Sequence, residues 1–239
     1  MTVRLRLAIL AVLVAGGATA AGFALWPSGN RAAAVCPGPT VAPLSTQAQK
    51  ALDAYATDIR YDIEKTRNGE RSDTWVDPVT GATRILLFDE PGRLEAETGQ
   101  TWTGKTLKSV TVSFETRSWF ATTATMASGY VSGSDGAFTD SLGVRRDLGD
   151  GSTKTLGKAT LNGRTTLHLR QNVLQLWVDP LTYLPVRTQA RATTDDITWL
   201  PRTASNLLST RIVVPQGFTQ AKEPAPGNSG LIMTPAGCG

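Results

Sequence analysis

The sequence predicts an α+β fold: a curved antiparallel β-sheet with few helices, preceded by one apolar N-terminal helix. Apolar and polar residues alternate with a period of two through much of the chain, which is typical of strands with one buried face. Turn signals such as Asn68-Gly69 and Asn162-Gly163 separate these runs at short intervals. Connections this short favour antiparallel neighbours, because a parallel return needs a dozen residues or more.

The N-terminal helix is predicted from residues 7–26, which carry no charge. At 1.5 Å per residue this run measures about 30 Å, enough to cross a bilayer. Arg4 and Arg6 precede it and favour a cytoplasmic N-terminus, so the rest of the chain is expected outside. Two fates are compatible with the sequence, a signal peptide cleaved near residues 18–21 or a retained single-pass membrane anchor. Either fate predicts an extracytoplasmic protein of the cell envelope, secreted or anchored.

The basic character of the chain belongs largely to this leader. The formal net charge is +4, with 24 basic and 20 acidic residues. Arg4, Arg6 and Arg31 precede Cys36 and no acidic residue does, so the part from Cys36 onward has 21 basic against 20 acidic residues. No basic stripe with interleaved aromatic residues occurs, so the sequence does not predict a nucleic-acid partner.

Cys36 and Cys238 are the two cysteines, near opposite ends of the exported part. Outside the cytoplasm such a pair indicates a disulfide, which for a loop of this length contributes about 4–5 kcal/mol in the chain-entropy model. The predicted organisation is a leader at residues 1–26, a Pro/Ala/Gly-rich tether at 27–44, one α+β domain at 45–222 and an extended tail at 223–239 tied back by the disulfide.

The first element of the domain is predicted to be a helix capped by Ser45, because a serine hydroxyl suits that position. Its apolar stripe is Ala48, Leu52, Tyr55 and Ile59. From Ile59 the period changes to two, and Arg60, Asp62 and Glu64 are predicted on the wet face of a strand. Further strands are predicted around Val110, Leu167, Leu174 and Leu184, and further helices over residues 137–148 and about 204–209.

A short motif occurs twice: Trp-Val-Asp-Pro-x-Thr, followed by an arginine, stands at residues 74–84 and again at 176–187. In both copies the Asp side chain is suited to accept a backbone N–H two residues on, and Pro fixes φ at the next turn position. The motif therefore predicts two similar hairpins, in which Asp77 and Asp179 stabilise the turns and are not a catalytic pair.

The chain lacks the residue patterns of common enzymes. The stretch at residues 151–159 resembles a phosphate-binding loop, but Ser152 replaces its first glycine and Ala159 its Mg²⁺-binding hydroxyl. No Gly-x-Ser-x-Gly elbow occurs, and His168 alternates with Leu167 and Leu169, which predicts a surface histidine. With a single His and two Cys, the chain does not provide a metal site built on several His or Cys ligands. No catalytic residue, cofactor or metal is therefore predicted.

Four segments of the second half of the chain form a recognisable set: Leu156-Gly157-Lys158 through Asn162-Gly163-Arg164, Trp177-Val178-Asp179-Pro180, Leu184-Pro185-Val186-Arg187 and Pro215-Gln216-Gly217-Phe218. Together they resemble the LolA/LppX-type lipoprotein-carrier superfamily, which includes RseB-like proteins, and exported actinobacterial proteins of that shape. The resemblance covers mainly residues 156–220. It implies an unclosed half-barrel with helices packed on its concave side and an apolar hollow for acyl chains. For RseB-like members it implies signal sensing and a protein partner.

Two functions follow as expectations. The first is binding of a lipid or lipoprotein acyl chain in an apolar hollow, because each buried methylene contributes about 0.8 kcal/mol. The predicted lining is Val112, Phe114, Leu167, Leu169, Leu176 and Val186, which are alternatively core residues packed against the first helix. The second is a membrane-anchored sensor or scaffold that binds an envelope protein. Trp75 and Trp177, opposite their valine neighbours by alternation, either form that surface or pack under a helix.

Overall fold

The computed structural model describes residues 41–126 and 136–222. The apolar segment at residues 7–26, both cysteines and the tail from residue 223 lie outside these ranges, so the anchor and the disulfide stay predictions. None of the helices within the described ranges is both long and apolar enough to span a bilayer.

Three helices lie in the described ranges: α1 (Thr46–Asp53), α2 (Ala137–Gly149) and α3 (Ala204–Leu208). The prediction that Ser45 caps α1 is confirmed, because the Ala48 N–H donates to its Oγ at 3.2 Å. The prediction of one helical stripe reaching Ile59 is wrong. Backbone bonds of the i to i+3 type, such as Tyr55 N–H to Leu52 O at 2.9 Å, close the helix, and Ile59 begins the first strand.

Twelve strands form one sheet. They are β1 (Ile59–Thr66), β2 (Arg71–Val76), β3 (Thr83–Phe88), β4 (Leu94–Thr103), β5 (Thr106–Ser113), β6 (Ser118–Thr125), β7 (Lys154–Leu161), β8 (Arg164–Gln171), β9 (Leu174–Val178), β10 (Pro185–Ala190), β11 (Thr193–Leu200) and β12 (Thr219–Gln220). Their order across the sheet is β12-β6-β5-β4-β3-β2-β1-β11-β10-β9-β8-β7. All neighbours are antiparallel except β12 and β6, so the predicted antiparallel, unclosed sheet with few helices is confirmed.

The sheet consists of two meanders that meet at its centre. Strands β1 to β6 form one, β7 to β11 form the other, and β1 pairs with β11 along eight residues from Ile59–Leu200 to Thr66–Thr193. Tight turns connect the strands of each meander. At the β7–β8 turn Asn162 has φ of 52° and Gly163 of 77°, the left-handed pair that a two-residue hairpin requires. The two predicted Asn-Gly turns are therefore confirmed as hairpins.

The two faces of the sheet are traced through directly paired residues, which share a face. One face runs through Leu169, Leu176, Thr188, Asp195 and Glu64, and we call it the helix face because α2 packs on it. The opposite face runs through His168, Trp177, Arg187, Asp196 and Ile63, and we call it the ladder face.

Two clusters of buried apolar residues lie on the helix side of the sheet. The first is Val144 of α2 with Leu169, Leu174, Leu176 and Val178, and Leu148, Leu167, Tyr183 and Ala190 pack around it. The second joins Leu52 of α1, Ala137 of α2 and Leu184, surrounded by Leu44, Tyr55 and Trp199. The helices α1 and α2 are thereby fixed side by side against the β8–β11 part of the sheet.

Candidate functional site

The structure gathers three of the six predicted ligand residues in one place. Leu167, Leu169 and Leu176 lie together on the helix face, against Val144 and Leu148 of α2. They fill a packed cluster, with Leu169 fully buried, so they leave no open wall for a guest at that point.

The other three predicted ligand residues lie elsewhere. Val112 is also fully buried but belongs to the ladder face, where it pairs with Glu97 and Trp119. Phe114 follows β5, and its ring meets that of Phe218 edge-on at 5.5 Å. Val186 stands at an irregularity in the pairing of β10 with β9. The six residues therefore do not line one hollow.

The Asp-Pro motifs form the predicted turns. The Val79 N–H donates to Asp77 Oδ1 at 3.0 Å, and the Leu181 N–H donates to Asp179 Oδ1 at the same distance. A threonine hydroxyl adds a further bond in each, from Thr80 at 2.7 Å and Thr182 at 2.9 Å. The interpretation of the repeat as turn chemistry is confirmed.

The first Asp-Pro turn has an additional partner. Asp77 is buried and accepts two hydrogen bonds from Arg202, Nε to Oδ1 at 3.1 Å and Nη2 to Oδ2 at 3.0 Å. Burial raises the pKa of the Asp77 carboxyl, but the bonds from Arg202, Thr80 and the Val79 backbone outweigh it and lower the pKa below its usual value.

Each repeated tryptophan belongs to a row of side chains on the ladder face. In the first ladder (Tyr61, Trp75, Arg84, Glu97) the Tyr61 and Trp75 rings stack with centroids 4.6 Å apart. The Arg84 guanidinium lies 5.7 Å from the Trp75 centroid, and its Nε donates to Glu97 Oε1 at 2.7 Å. Glu97 is buried, so this ion pair is shielded from water.

The second ladder (His168, Trp177, Arg187, Asp196) repeats the arrangement about one hundred residues later. The His168 and Trp177 rings stack at 4.5 Å, Arg187 pairs with Trp177 across the strands, and its Nε donates to Asp196 Oδ1 at 2.5 Å. His168 is half-buried, and its Nε2 also forms a hydrogen bond with Oε1 of Gln175. Trp177 points away from the face on which α2 packs, so it does not lie under that helix.

An acidic cluster lies on the helix face at the centre of the sheet, where Asp62, Glu64 and Asp195 are near neighbours across β1 and β11. The prediction that Arg60, Asp62 and Glu64 form a wet face is wrong, because α2 reaches over it and Asp140 accepts from Arg60 at 3.1 Å. Alternation separates the two faces of a strand but does not show which one another element covers. No group of acids, His or Cys within residues 41–126 and 136–222 is arranged to hold a metal ion.

The pKa of Asp195 is raised to about 7, mainly by burial and also by the charges of Asp62 and Glu64, while the charge of Arg60 lowers it. Oδ1 of Asp195 is buried without a hydrogen-bond partner in the described part of the chain. Burial is also the main cause that raises the pKa of Asp62 and of Glu64. The cluster therefore tends to hold a proton near neutral pH.

An open apolar concavity lies between α1, α2 and the segment that leads into α1. Its volume is about 610 Å³. Its walls are Val41, Pro43, Leu44, Thr46, Gln49, Lys50, Asp53, Phe138, Leu142 and Arg145, and we call it the α1/α2 groove. Two apolar side chains of α2 remain exposed in it, Phe138 by 51% and Leu142 by 37%.

Sequence reasoning missed this groove, although α2 contains its signal. Ala137, Ser141 and Val144 face the sheet, while Phe138 and Leu142, four residues apart, form a second apolar line beside them. The first apolar side of α2 packs against the core. The second side, with Phe138 and Leu142, stays exposed in the groove.

Comparison with known proteins adds little to this geometry. No family model matches the chain, and no curated protein matches it. Among solved structures, an uncharacterized conserved protein from Thermus thermophilus is similar over 73% of this chain and 96% of its own, at 12% identity and a TM-score of 0.40. A TM-score this low carries no argument, and the lipoprotein-carrier resemblance stays a prediction.

Proposed function

We propose that this protein is a non-enzymatic, extracytoplasmic binding protein for the acyl chain of a lipid or lipoprotein. The binding site in this proposal is the α1/α2 groove and not the six residues predicted from alternation. The observation that carries it is the exposure of Phe138 and Leu142 side by side in a concavity. Apolar side chains that line a concave site and stay exposed mark a place where another apolar group binds.

The size of the groove suits such a ligand. Sites for small molecules commonly enclose about 300–1,000 Å³ with mostly apolar walls, and the groove measures about 610 Å³. Each methylene that it takes from water contributes about 0.8 kcal/mol, so one acyl chain supplies enough free energy for binding without specific polar contacts.

The position of the groove also supports the proposal. Val41, Pro43 and Leu44 of its wall belong to the last residues of the predicted tether, 27–44. If the apolar helix is retained, the fourteen residues from 27 to 40 span at most about 50 Å, which keeps the groove close to the bilayer surface. In the same proposal the sheet is bent into the half-barrel of the lipoprotein carriers, with α1 and α2 on its concave side.

Lipid binding by the full chain in nonionic detergent tests the proposal. A phospholipid with a fluorescent acyl chain is expected to bind saturably, and Phe138→Ser with Leu142→Ser to weaken binding about tenfold or more. Leu208→Ser is the matched control, because Leu208 is an exposed leucine (61%) on α3 and is not part of the groove wall. Equal binding by the groove variant and the control, or no binding at all, would refute the proposal.

A second candidate is a membrane-anchored scaffold that binds a protein partner through the ladder face. Trp75 and Trp177 favour it, since aromatic and arginine side chains are enriched where proteins meet and both ladders place them on one face. A photoreactive residue at Thr198, which is exposed beside Tyr61, would cross-link such a partner in cells. Loss of that cross-link in Trp177→Ala supports the scaffold, and a cross-link that persists in this variant contradicts it.

A further inference from the structure

Arg145 differs from the other arginines that the fold partly buries. Six arginines of the described ranges are half-buried: Arg60, Arg84, Arg145, Arg146, Arg187 and Arg202. Five of them form ion pairs with carboxylates of this chain. Within residues 41–126 and 136–222, Arg145 has no carboxylate partner, and it lines the α1/α2 groove.

The guanidinium of Arg145 is only partly satisfied. Its Nη1 donates to the Ala42 carbonyl at 3.2 Å, which holds it against the segment before α1. Its Nε is buried and lacks a hydrogen-bond partner in the described part of the chain. Burial lowers the pKa of Arg145, and among the described residues only the nearby Tyr183 raises it.

Such an arrangement is costly unless an acceptor is supplied. A buried donor that is left unpaired loses the hydrogen bonds it makes in water, and the loss is larger for a charged group. The other charged residues of the groove wall are Lys50 and Asp53, and Asp53 Oδ1 already accepts from Gln49 Nε2 at 2.7 Å. The wall therefore has one net positive charge, and the free donor in it belongs to an arginine.

We infer that the α1/α2 groove selects an anionic phospholipid, whose acyl chain lies along Phe138 and Leu142 and whose headgroup phosphate accepts from Nε of Arg145. The inference rests on the proposed function and names its ligand class. An arginine at the edge of an apolar groove suits a phosphate, because the planar set of guanidinium N–H donors matches the arrangement of phosphate oxygens and forms strong, charge-assisted hydrogen bonds with them. Lys50 adds a second positive charge on the α1 side of the groove.

The test compares two phospholipids with identical acyl chains, phosphatidylglycerol, which is anionic, and phosphatidylcholine, which is zwitterionic. Binding to the full chain in nonionic detergent is measured for the wild type, Arg145→Gln, Arg145→Lys and Arg146→Gln. Arg146 is the matched control, because it is the next residue of α2 and already pairs with Asp147 at 3.2 Å.

The wild type and Arg146→Gln are expected to prefer phosphatidylglycerol by about tenfold. Arg145→Gln is expected to bind both lipids equally, and Arg145→Lys to keep part of the preference, since it keeps the charge but not the planar donor edge. Circular dichroism at the binding temperature checks that each variant is folded.

The remaining outcomes separate the two proposals. If neither lipid binds to the wild type, acyl-chain binding itself fails. If both lipids bind equally to the wild type and Phe138→Ser weakens both, the acyl site stands and the headgroup inference is overturned. A preference for phosphatidylglycerol that survives in Arg145→Gln and is lost in Arg146→Gln also overturns it, because the anion is then bound at another residue.

Discussion

The strands β1–β4 and the strands β8–β11 are two versions of one unit. Each contains a ladder of an aromatic ring, a tryptophan and an arginine on successive strands, with a carboxylate on the fourth, and an Asp-Pro turn between its second and third strands. In the sheet the units lie in the order β4-β3-β2-β1 and then β11-β10-β9-β8. Moving four strands along this order leads from each strand of one unit to its counterpart in the other, with direction and face preserved.

The units differ in their distant partners. Asp77 of the first is clamped by Arg202, 125 residues away, whereas Asp179 of the second makes its bonds within its own turn. Opposite Arg84 the first unit has Gly99, against which Ile212 packs, whereas opposite Arg187 the second has Asp196, which binds that arginine directly. A repeated motif thus fixes local geometry, while chain from outside the repeat decides how each copy is stabilised.

The largest expected difference between the units is at the two turn aspartates. Asp77→Ala is expected to cost about 3 kcal/mol of unfolding free energy, because it removes the turn bonds and leaves Arg202 without its buried partner. Asp179→Ala is expected to cost about 1 kcal/mol, the usual loss when only local capping bonds are removed. Urea denaturation of the two variants measures both values. Equal losses would show that the Arg202 clamp adds no stability.

The acidic cluster at the β1–β11 pairing, where the two units meet, is expected to make the stability of the protein depend on pH. The pKa of Asp195 is raised from 3.8 to about 7, so between these values the folded chain binds more protons than the unfolded chain. The contribution of Asp195 to stability is therefore fully present below pH 4 and is lost as pH rises through 7, by at most about 1.4 kcal/mol per pH unit for one proton. The expected loss of unfolding free energy between pH 5 and pH 7 is about 2 kcal/mol. Denaturant titrations at each pH measure it.

Asp195→Asn provides the control for that prediction. The substitution removes the titrating group and is expected to flatten the pH dependence, leaving a smaller slope from Glu64 and Asp62, whose pKa values are also raised. A slope as steep as that of the wild type would place the proton on another residue of the cluster.

The packing of Ile212 against Gly99, which only the first unit has, is expected to affect unfolding free energy moderately. A Cβ at Gly99 would lie 2.6 Å from Cγ2 and 2.8 Å from Cβ of Ile212, so Gly99→Ala is expected to cost about 1.5 kcal/mol through overpacking. In the Ile212→Gly background, which removes both of these atoms, the same change is expected to be neutral or stabilising, because glycine is an unfavourable residue inside a strand. A double-mutant cycle by thermal or urea unfolding measures the coupling. If Gly99→Ala costs as much in the variant background as in the wild type, the clash with Ile212 is not the cause.

Local features of these units were predictable from the sequence. Alternation around Leu167 and Leu174 located strands, Asn162-Gly163 located a hairpin, and the repeated Asp-Pro located both turns. Each of these signals depends on residues within a few positions of one another, where backbone conformation and short hydrogen bonds decide the outcome.

The features that the sequence did not reveal depend on distant contacts. The covering of Asp62 results from α2, which follows it by some eighty residues, and the Asp77–Arg202 pair joins residues 125 apart. In the same way Phe138 and Leu142 resemble core residues of a helix until the neighbouring α1 shows that they face a groove. The missing partner of Arg145 is a property of the folded surroundings, and no spacing in the sequence encodes it.

The smallest expected difference between the units lies in the ladders themselves. The Arg84 guanidinium lies over the Trp75 ring at 5.7 Å, and this cation–π contact is expected to give a coupling of about 0.5 kcal/mol in a Trp75→Ala, Arg84→Ala double-mutant cycle. Both tryptophans stack on an aromatic ring and both arginines pair with a carboxylate, but in the described part of the chain Arg187 makes no cation–π contact with Trp177. The Trp177→Ala, Arg187→Ala cycle is therefore expected to give a coupling near zero. Both cycles are measured by urea denaturation at pH 6, where a coupling of similar size in the two ladders would mean that the copies share their energetics as well as their geometry. The ordering expected here would instead mean that the two ladders differ in energy although they share their strand order and their face of the sheet.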